Sequence, residues 1–189
     1  MRLRKPTIEL VEKYQRQFED KNGAEEEAIS ELLKLFPDNK DYSGVLLKCV
    51  VINTLYSTQI RAIKNVARNI CELDIDARLS QGDPNVVDQI AELTIGNKKR
   101  RNYSFATKYY SFHQPSLYPI YDSIVDKVLK TYQRRDRFSP RPLGNLKDYR
   151  RFKEVLEEFV NWYDLKGLGF RKLDCFLHDH GKEQLAKRN

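Results

Sequence analysis

Apolar residues return at helical spacing along almost the whole chain, and nowhere do paired segments alternate apolar with polar as neighbouring strands would. Leu10, Val11, Tyr14 and Phe18 make one stripe, and Ile29, Leu32, Leu33 and Phe36 another. Ile60, Ile63, Val66, Ala67 and Ile70 line a third; Val86, Val87, Ile90 and Leu93 line a fourth, after the helix-start pair Asp83-Pro84. Tyr149, Phe152, Val155, Leu156, Phe159 and Tyr163 form the best amphipathic stripe. Val45–Leu55 is apolar on nearly all sides, which predicts a helix buried at the centre. Eight Gly and seven Pro are too few for a loop-rich β-sandwich. The expectation is an all-α protein of about nine helices. At 189 residues it forms one domain or two closely packed lobes. Irregular chain is expected at 37–42, 96–101, 114–121 and 133–146.

Thirty-four Lys and Arg against 27 Asp and Glu leave a net charge of +7, which favours polyanionic partners, nucleic acid before an anionic membrane surface. The charge is concentrated in Lys98-Lys99-Arg100-Arg101 and in Arg134, Arg135, Arg137 and Arg141, with Arg150 and Arg151 close behind. Each run is either a solvated face or a phosphate grip. Tyr103, Phe105, Tyr109 and Tyr110 after the first run, and Tyr132 and Phe138 around the second, suit unstacked bases or a core. Cys49, Cys71 and Cys175 are odd in number and far apart, and His113, His178 and His180 have no partners at ligand spacing. Neither a disulfide framework nor a metal site is expected, and no cofactor. The longest apolar stretch is too short to span a bilayer, and the first six residues lack the apolar run of a secretory signal. A soluble, cytoplasmic protein with no membrane partner is expected.

Three collinear segments carry a resemblance. Asn53-Thr54-Leu55-Tyr56-Ser57-Thr58-Gln59 ends an apolar helix in Leu-x-Ser-x-Gln; Tyr118-Pro119-Ile120-Tyr121-Asp122-Ser123-Ile124-Val125 is similar to a Pro-Val-Asp-Thr-His-Val segment; and Leu177-His178-Asp179-His180-Gly181-Lys182 is similar to Leu-x-x-His-Gly-Arg. Together they resemble the helix-hairpin-helix DNA glycosylase superfamily, the endonuclease III-like base-excision enzymes. The resemblance implies two helical lobes, 41–118 in the centre and 1–40 with 119–189 packed together, and DNA in the groove between them. It also implies that Asp122 is the catalytic carboxylate and that Gln59 fills the stack left by a flipped base. Lys98, Lys99, Arg100 and Arg101 are the expected phosphate contacts, and Tyr109, Tyr110 and Tyr121 the expected stacking surfaces.

Asp122 makes chemical sense on its own. It stands where a loop turns into an apolar-periodic helix, so the dipole and free N–H groups favour its ionised form. An ionised carboxylate can orient a water and stabilise the cationic sugar that develops as an N-glycosidic bond breaks. The other role open to it is a helix cap contributing about 1 kcal/mol.

The departures are specific. The family's Leu-Pro-Gly-Val-Gly-x-Lys hairpin should stand near Ile95–Asn102, where one glycine is present. Asn102 or Tyr103 occupies the place of the lyase Lys, and Lys108 is the nearest lysine downstream. No iron–sulfur cysteine cluster follows Gly181. Gly167-Leu168-Gly169 is either a displaced phosphate-binding hairpin or a plain turn between helices. The expected function is therefore DNA binding with base flipping, and hydrolytic base removal without strand cleavage. A non-catalytic DNA-binding module on the same fold and a helical protein-interaction module are the alternatives.

Overall fold

The computed structural model describes residues 3–95 and 97–187. Among them stand nine helices: α1 (Ile8–Leu35), α2 (Tyr42–Leu55), α3 (Ile63–Glu72), α4 (Asp76–Ser80), α5 (Asn85–Ala91), α6 (Tyr103–His113), α7 (Ser123–Asp136), α8 (Tyr149–Trp162) and α9 (Gly169–Ala186). The fold is all-α apart from one antiparallel hairpin between α5 and α6, made of β1 (Glu92–Ile95) and β2 (Lys98–Arg101). None of the helices is long and apolar enough to cross a membrane. The chain divides into two compact units, Gly23–Tyr118 and Met1–Asn22 with Pro119–Asn189. The N-terminal boundary falls at 22/23 rather than at 40/41. The reason is that α1 is one unbroken helix whose C-terminal turns pack in the central unit: Ile29 is buried there, and Glu26 accepts a hydrogen bond from Tyr56.

In the Gly23–Tyr118 unit, α2 begins at Asp41, whose carboxylate accepts from the Gly44 N–H at 2.7 Å, an N-cap that satisfies one orphan donor. Its buried face carries Val45, Lys48, Cys49 and Ile52. The expectation of a wholly enclosed α2 fails, because Leu47, Val50 and Leu55 are each about two-fifths exposed. The enclosed helix is α6, buried at Tyr103 and at every position from Phe105 to Ser111.

Lys48 is completely buried, and all three of its ammonium protons are used. Nζ donates to the Phe36 carbonyl at 3.1 Å, the Asp38 carbonyl at 2.6 Å and Asn39 Oδ1 at 2.8 Å. Those carbonyls lie just beyond the end of α1, where the backbone acceptors have no helical partner. Asn39 then binds Asp76 through Nδ2 at 2.6 Å and its own N–H at 3.1 Å, and its Oδ1 also accepts from the Tyr109 hydroxyl. One lysine thus ties the end of α1 to α2, α4 and α6. Burial holds its pKa below the usual lysine value, against the pull of Asp76.

The second unit is built on α7, α8 and α9 with the first turns of α1. Asp148 caps α8 by accepting from the Arg151 N–H at 3.1 Å. Two glycines at positive φ, Gly167 (88°) and Gly169 (69°), make the turn between α8 and α9. Gly181 serves close approach: a Cβ there would lie 2.5 Å from Val128 Cγ2 and 2.7 Å from Ile124 Cγ2. Gly181→Ala is therefore expected to cost about 1–3 kcal/mol by overpacking α7 against α9, more than the helix propensity that Ala gains. Urea unfolding would measure the loss, and an unchanged midpoint would show that the two helices separate freely.

His180 is fully buried and anchors the N-terminus. The Arg4 N–H donates to Nε2 at 3.2 Å, which leaves the proton on Nδ1 to be donated to the Tyr14 oxygen at 3.0 Å. The Tyr14 hydroxyl in turn donates to Glu183 Oε2 at 2.5 Å. Tyr132 adds a hydrogen bond to the Arg4 carbonyl at 2.7 Å. Burial pushes the His180 pKa down to about 4, so the ring is neutral in the fold.

Candidate nucleic-acid interface

Lys98–Arg101 lies on β2, not in an irregular loop. Its register is Glu92↔Arg101, Leu93↔Arg100, Thr94↔Lys99 and Ile95↔Lys98. With a period of two, Leu93 and Ile95 share one face with Lys98 and Arg100, and Glu92 and Thr94 share the other with Lys99 and Arg101. Leu93 and Ile95 are half-buried, so their face turns towards the unit. All four positions of β2 are exposed. A short, fully charged edge strand resists pairing with other chains. It also concentrates positive charge on a narrow ribbon.

The four basic residues are not equivalent. Arg101 forms an ion pair with Asp88, and its guanidinium lies 4.8 Å from the Tyr103 ring centre. Lys98, Lys99 and Arg100 have no side-chain hydrogen bond or ion pair among the described residues. Three neighbouring cations are thus left to solvent and to whatever anion approaches.

The second basic run differs. Arg135 lies 5.0 Å from the Tyr132 ring centre, with Asp136 at 2.6 Å. Arg151 bridges Glu154 and Glu158, each at 3.1 Å, and Arg141 stands 3.6 Å from Glu154. Arg135 and Arg151 are thereby tied into the second unit, whereas Arg134, Arg137 and Arg141 stay exposed.

Gln59 is exposed in the loop between α2 and α3 and has φ 58°, with Ser57 at φ 47°. Two non-glycine residues in the left-handed region store about 1–3 kcal/mol each. Asn53 holds them there: its Oδ1 accepts from the Thr58 hydroxyl at 2.7 Å and the Ile60 N–H at 2.9 Å, while Nδ2 donates to the Ile60 carbonyl at 3.2 Å.

Asp122 is the N-cap of α7. Its Oδ1 accepts from the Ile124 N–H at 2.7 Å, and the side chain is half-buried. One turn on, Asp126 keeps one carboxylate oxygen buried without a hydrogen-bond partner, while the other meets Lys130 at 2.9 Å. The residue not anticipated from sequence is His178 on α9. It is bound through Nδ1 to Asp179 at 2.7 Å, which raises its pKa against the effect of burial; Asp174 and Asp122 add to the rise. The sequence signals were its place in the Leu177–Lys182 segment and the carboxylate of Asp179 directly beside it.

The expected stacking surfaces are corrected. Tyr109 and Tyr110 are completely buried and Tyr121 nearly so. Tyr110 donates to the Val86 carbonyl at 3.2 Å, and Tyr121 packs edge-on to Phe152 at 5.5 Å. These rings are core, because α6 is enclosed on every side and Tyr121 faces α8. Lys108 is buried too and donates to Ser104 Oγ at 2.8 Å. No group of three or more His, Cys, Asp or Glu among the described residues is arranged to hold a metal ion.

The fold and site define a two-unit helical protein that displays a basic β-ribbon from its central unit. The chain belongs to the family described by the HI_0787_N N-terminal domain, whose model matches residues 9–117. That match starts at the head of α1 and stops just before the 118/119 boundary. An uncharacterized protein of Haemophilus influenzae is 44% identical over 151 residues, covering 79% of this chain and 72% of the relative. No solved structure gives a significant match.

Proposed function

We propose that this protein binds DNA and acts in a base-excision-like role, with Asp122 as the carboxylate for hydrolytic base release and Gln59 as the residue that enters the vacated stack. The observation that carries DNA binding is the trio Lys98, Lys99 and Arg100, exposed on β2 with no side-chain partner among the described residues. Such cations release condensed counterions when they meet phosphates, so binding falls steeply with salt. The strained, Asn53-braced presentation of Gln59 supports a role for that side chain in a ligand-facing loop. The likeness of the Asp122 segment to the endonuclease III-like enzymes supports the chemistry. In this proposal the protein works in the cytoplasm.

Fluorescence anisotropy with a labelled duplex tests the binding. Changing Lys98, Lys99 and Arg100 together to Ala is expected to weaken binding at least about tenfold at low salt and to make the log–log salt slope shallower by about 2–3, near one unit per contact. An unchanged slope would remove the hairpin from the interface.

Base release from duplexes carrying uracil, alkylated, oxidised or mismatched bases, scored as abasic sites, tests the chemistry. Release that disappears in Asp122→Asn supports catalysis. Because Asp122 already caps α7, a second role as cap alone fits a non-catalytic binding module, and salt-sensitive binding without release would favour that module. If the unmodified protein fails to bind at low salt, the exposed Leu47, Val50 and Leu55 of α2 favour a protein-interaction module instead.

A further inference from the structure

We infer that the hairpin is a ribbon for the major groove of B-form duplex DNA, with Thr94 and Lys99 turned to the base edges and Lys98 and Arg100 to the flanking phosphates. This deepens the proposal that the hairpin binds DNA, and it rests on that proposal.

Size is the first support. Two antiparallel strands stand about 4.8 Å apart, and four residues extend about 13 Å. A ribbon of that width fits the major groove, which is roughly 12 Å wide and 8.5 Å deep.

The register is the second. The Leu93/Ile95 face is half-buried against the unit, which leaves the Thr94/Lys99 face outward with those two residues directly opposite each other. A hydroxyl with a methyl group and an ammonium are both able to read base edges in that groove. Lys98 and Arg100 are exposed although they share the inner face, so their long stems lead their charges out along the ribbon's sides.

Charge sets the direction of entry. Asp88 neutralises Arg101, and Glu92 stands exposed opposite Arg101, so carboxylates gather at the base of the ribbon. Uncompensated cations gather at the Ile95/Lys98 end, and that end meets the phosphates first.

The rings nearest the hairpin argue against single strands there, the exposed Trp162 belonging to the other unit. Unstacked bases need exposed rings. Tyr103 is nearly buried beneath Arg101, and Tyr109 and Tyr110 are fully buried. A-form RNA is disfavoured because its major groove is deep and too narrow for side chains to read.

The full chain would be titrated by anisotropy against a DNA duplex of ~20 base pairs, each of its single strands and the RNA duplex of the same sequence, at one salt concentration. Binding to the DNA duplex is expected to be at least about tenfold tighter than to the others. Methyl green, a major-groove ligand, should displace the protein, and netropsin, a minor-groove ligand, should not. Thr94→Glu places a carboxylate on the groove face at an exposed site. It should weaken duplex binding at least about tenfold with the far-ultraviolet circular dichroism unchanged. Equal binding to single strands or to RNA would overturn the groove assignment and leave nucleic-acid binding standing. So would displacement by netropsin, or a Thr94→Glu variant that binds like the parent. No binding to any probe at low salt would instead overturn the underlying proposal and this inference with it.

Discussion

Lys48→Ala is expected to cost the protein about 3–5 kcal/mol, a large part of the 5–15 kcal/mol that a domain of this size has to spare. Two effects add. The carbonyls of Phe36 and Asp38 and the buried Asn39 lose a charge-assisted donor, and truncating a fully buried four-carbon stem leaves a cavity. Lys48→Met keeps the volume and removes only the donor, so it should lose less, about 2–3 kcal/mol. The difference between the two variants separates packing from polar satisfaction. Urea denaturation by circular dichroism would measure both, and an Ala variant within about 1 kcal/mol of the parent would show that the network reorganises around the gap.

The second large effect is acid sensitivity of the N-terminal anchor. His180 is neutral in the fold, with its pKa lowered to about 4 by burial, whereas an unfolded chain gives it the ordinary value near 6.5. Between those two values the unfolded state binds the extra proton, so stability falls as pH drops through this window. The contribution is complete above about 6.5, is lost by about pH 4, and amounts to about 3 kcal/mol. Glu183, held down to about 2 by Lys187 and Tyr14, fades in the same direction at still lower pH. His178 acts oppositely: Asp179 raises its pKa, so its contribution is full below the ordinary value and is lost as pH rises through the raised one. Unfolding free energies at pH 7, 5 and 4 for the parent and for His180→Gln would test this. The variant should be less stable at pH 7 and should show a flatter decline; parallel declines would place the acid sensitivity elsewhere.

The helices were legible from sequence because their apolar spacing states the face that packs, as in α8, where Tyr149, Phe152, Val155, Leu156 and Phe159 are all buried. Asp122 as the start of α7 was legible for the same local reason. The hairpin was not, since the alternation of Glu92–Ile95 lasts only four residues and the all-basic Lys98–Arg101 has none to pair with it. Asp83-Pro84 came within one position: α5 starts at Asn85, whose N–H donates to Asp83 at 2.9 Å. The tyrosines of α6 were misassigned because nearness in sequence to a basic run says nothing about which way a helix turns its rings. In the sequence Lys48 is only one charge inside the apolar stretch Val45–Leu55. Its meaning depends on Phe36, Asp38, Asn39, Asp76 and Tyr109, which only tertiary structure gathers.

The discontinuity of the second unit has a consequence for how the chain is made. Tyr14 and Arg4 find their partners, Tyr132, His180 and Glu183, only after residues 23–118 have left the ribosome. At roughly 5–20 residues per second that interval lasts about 5–20 s. The central unit, continuous in sequence, can complete its core during translation, while the apolar face of the first turns of α1 stays uncovered. Nascent chains stalled near residue 118 should therefore expose an apolar N-terminal helix to chaperones, and synthesis through α9 should end that exposure.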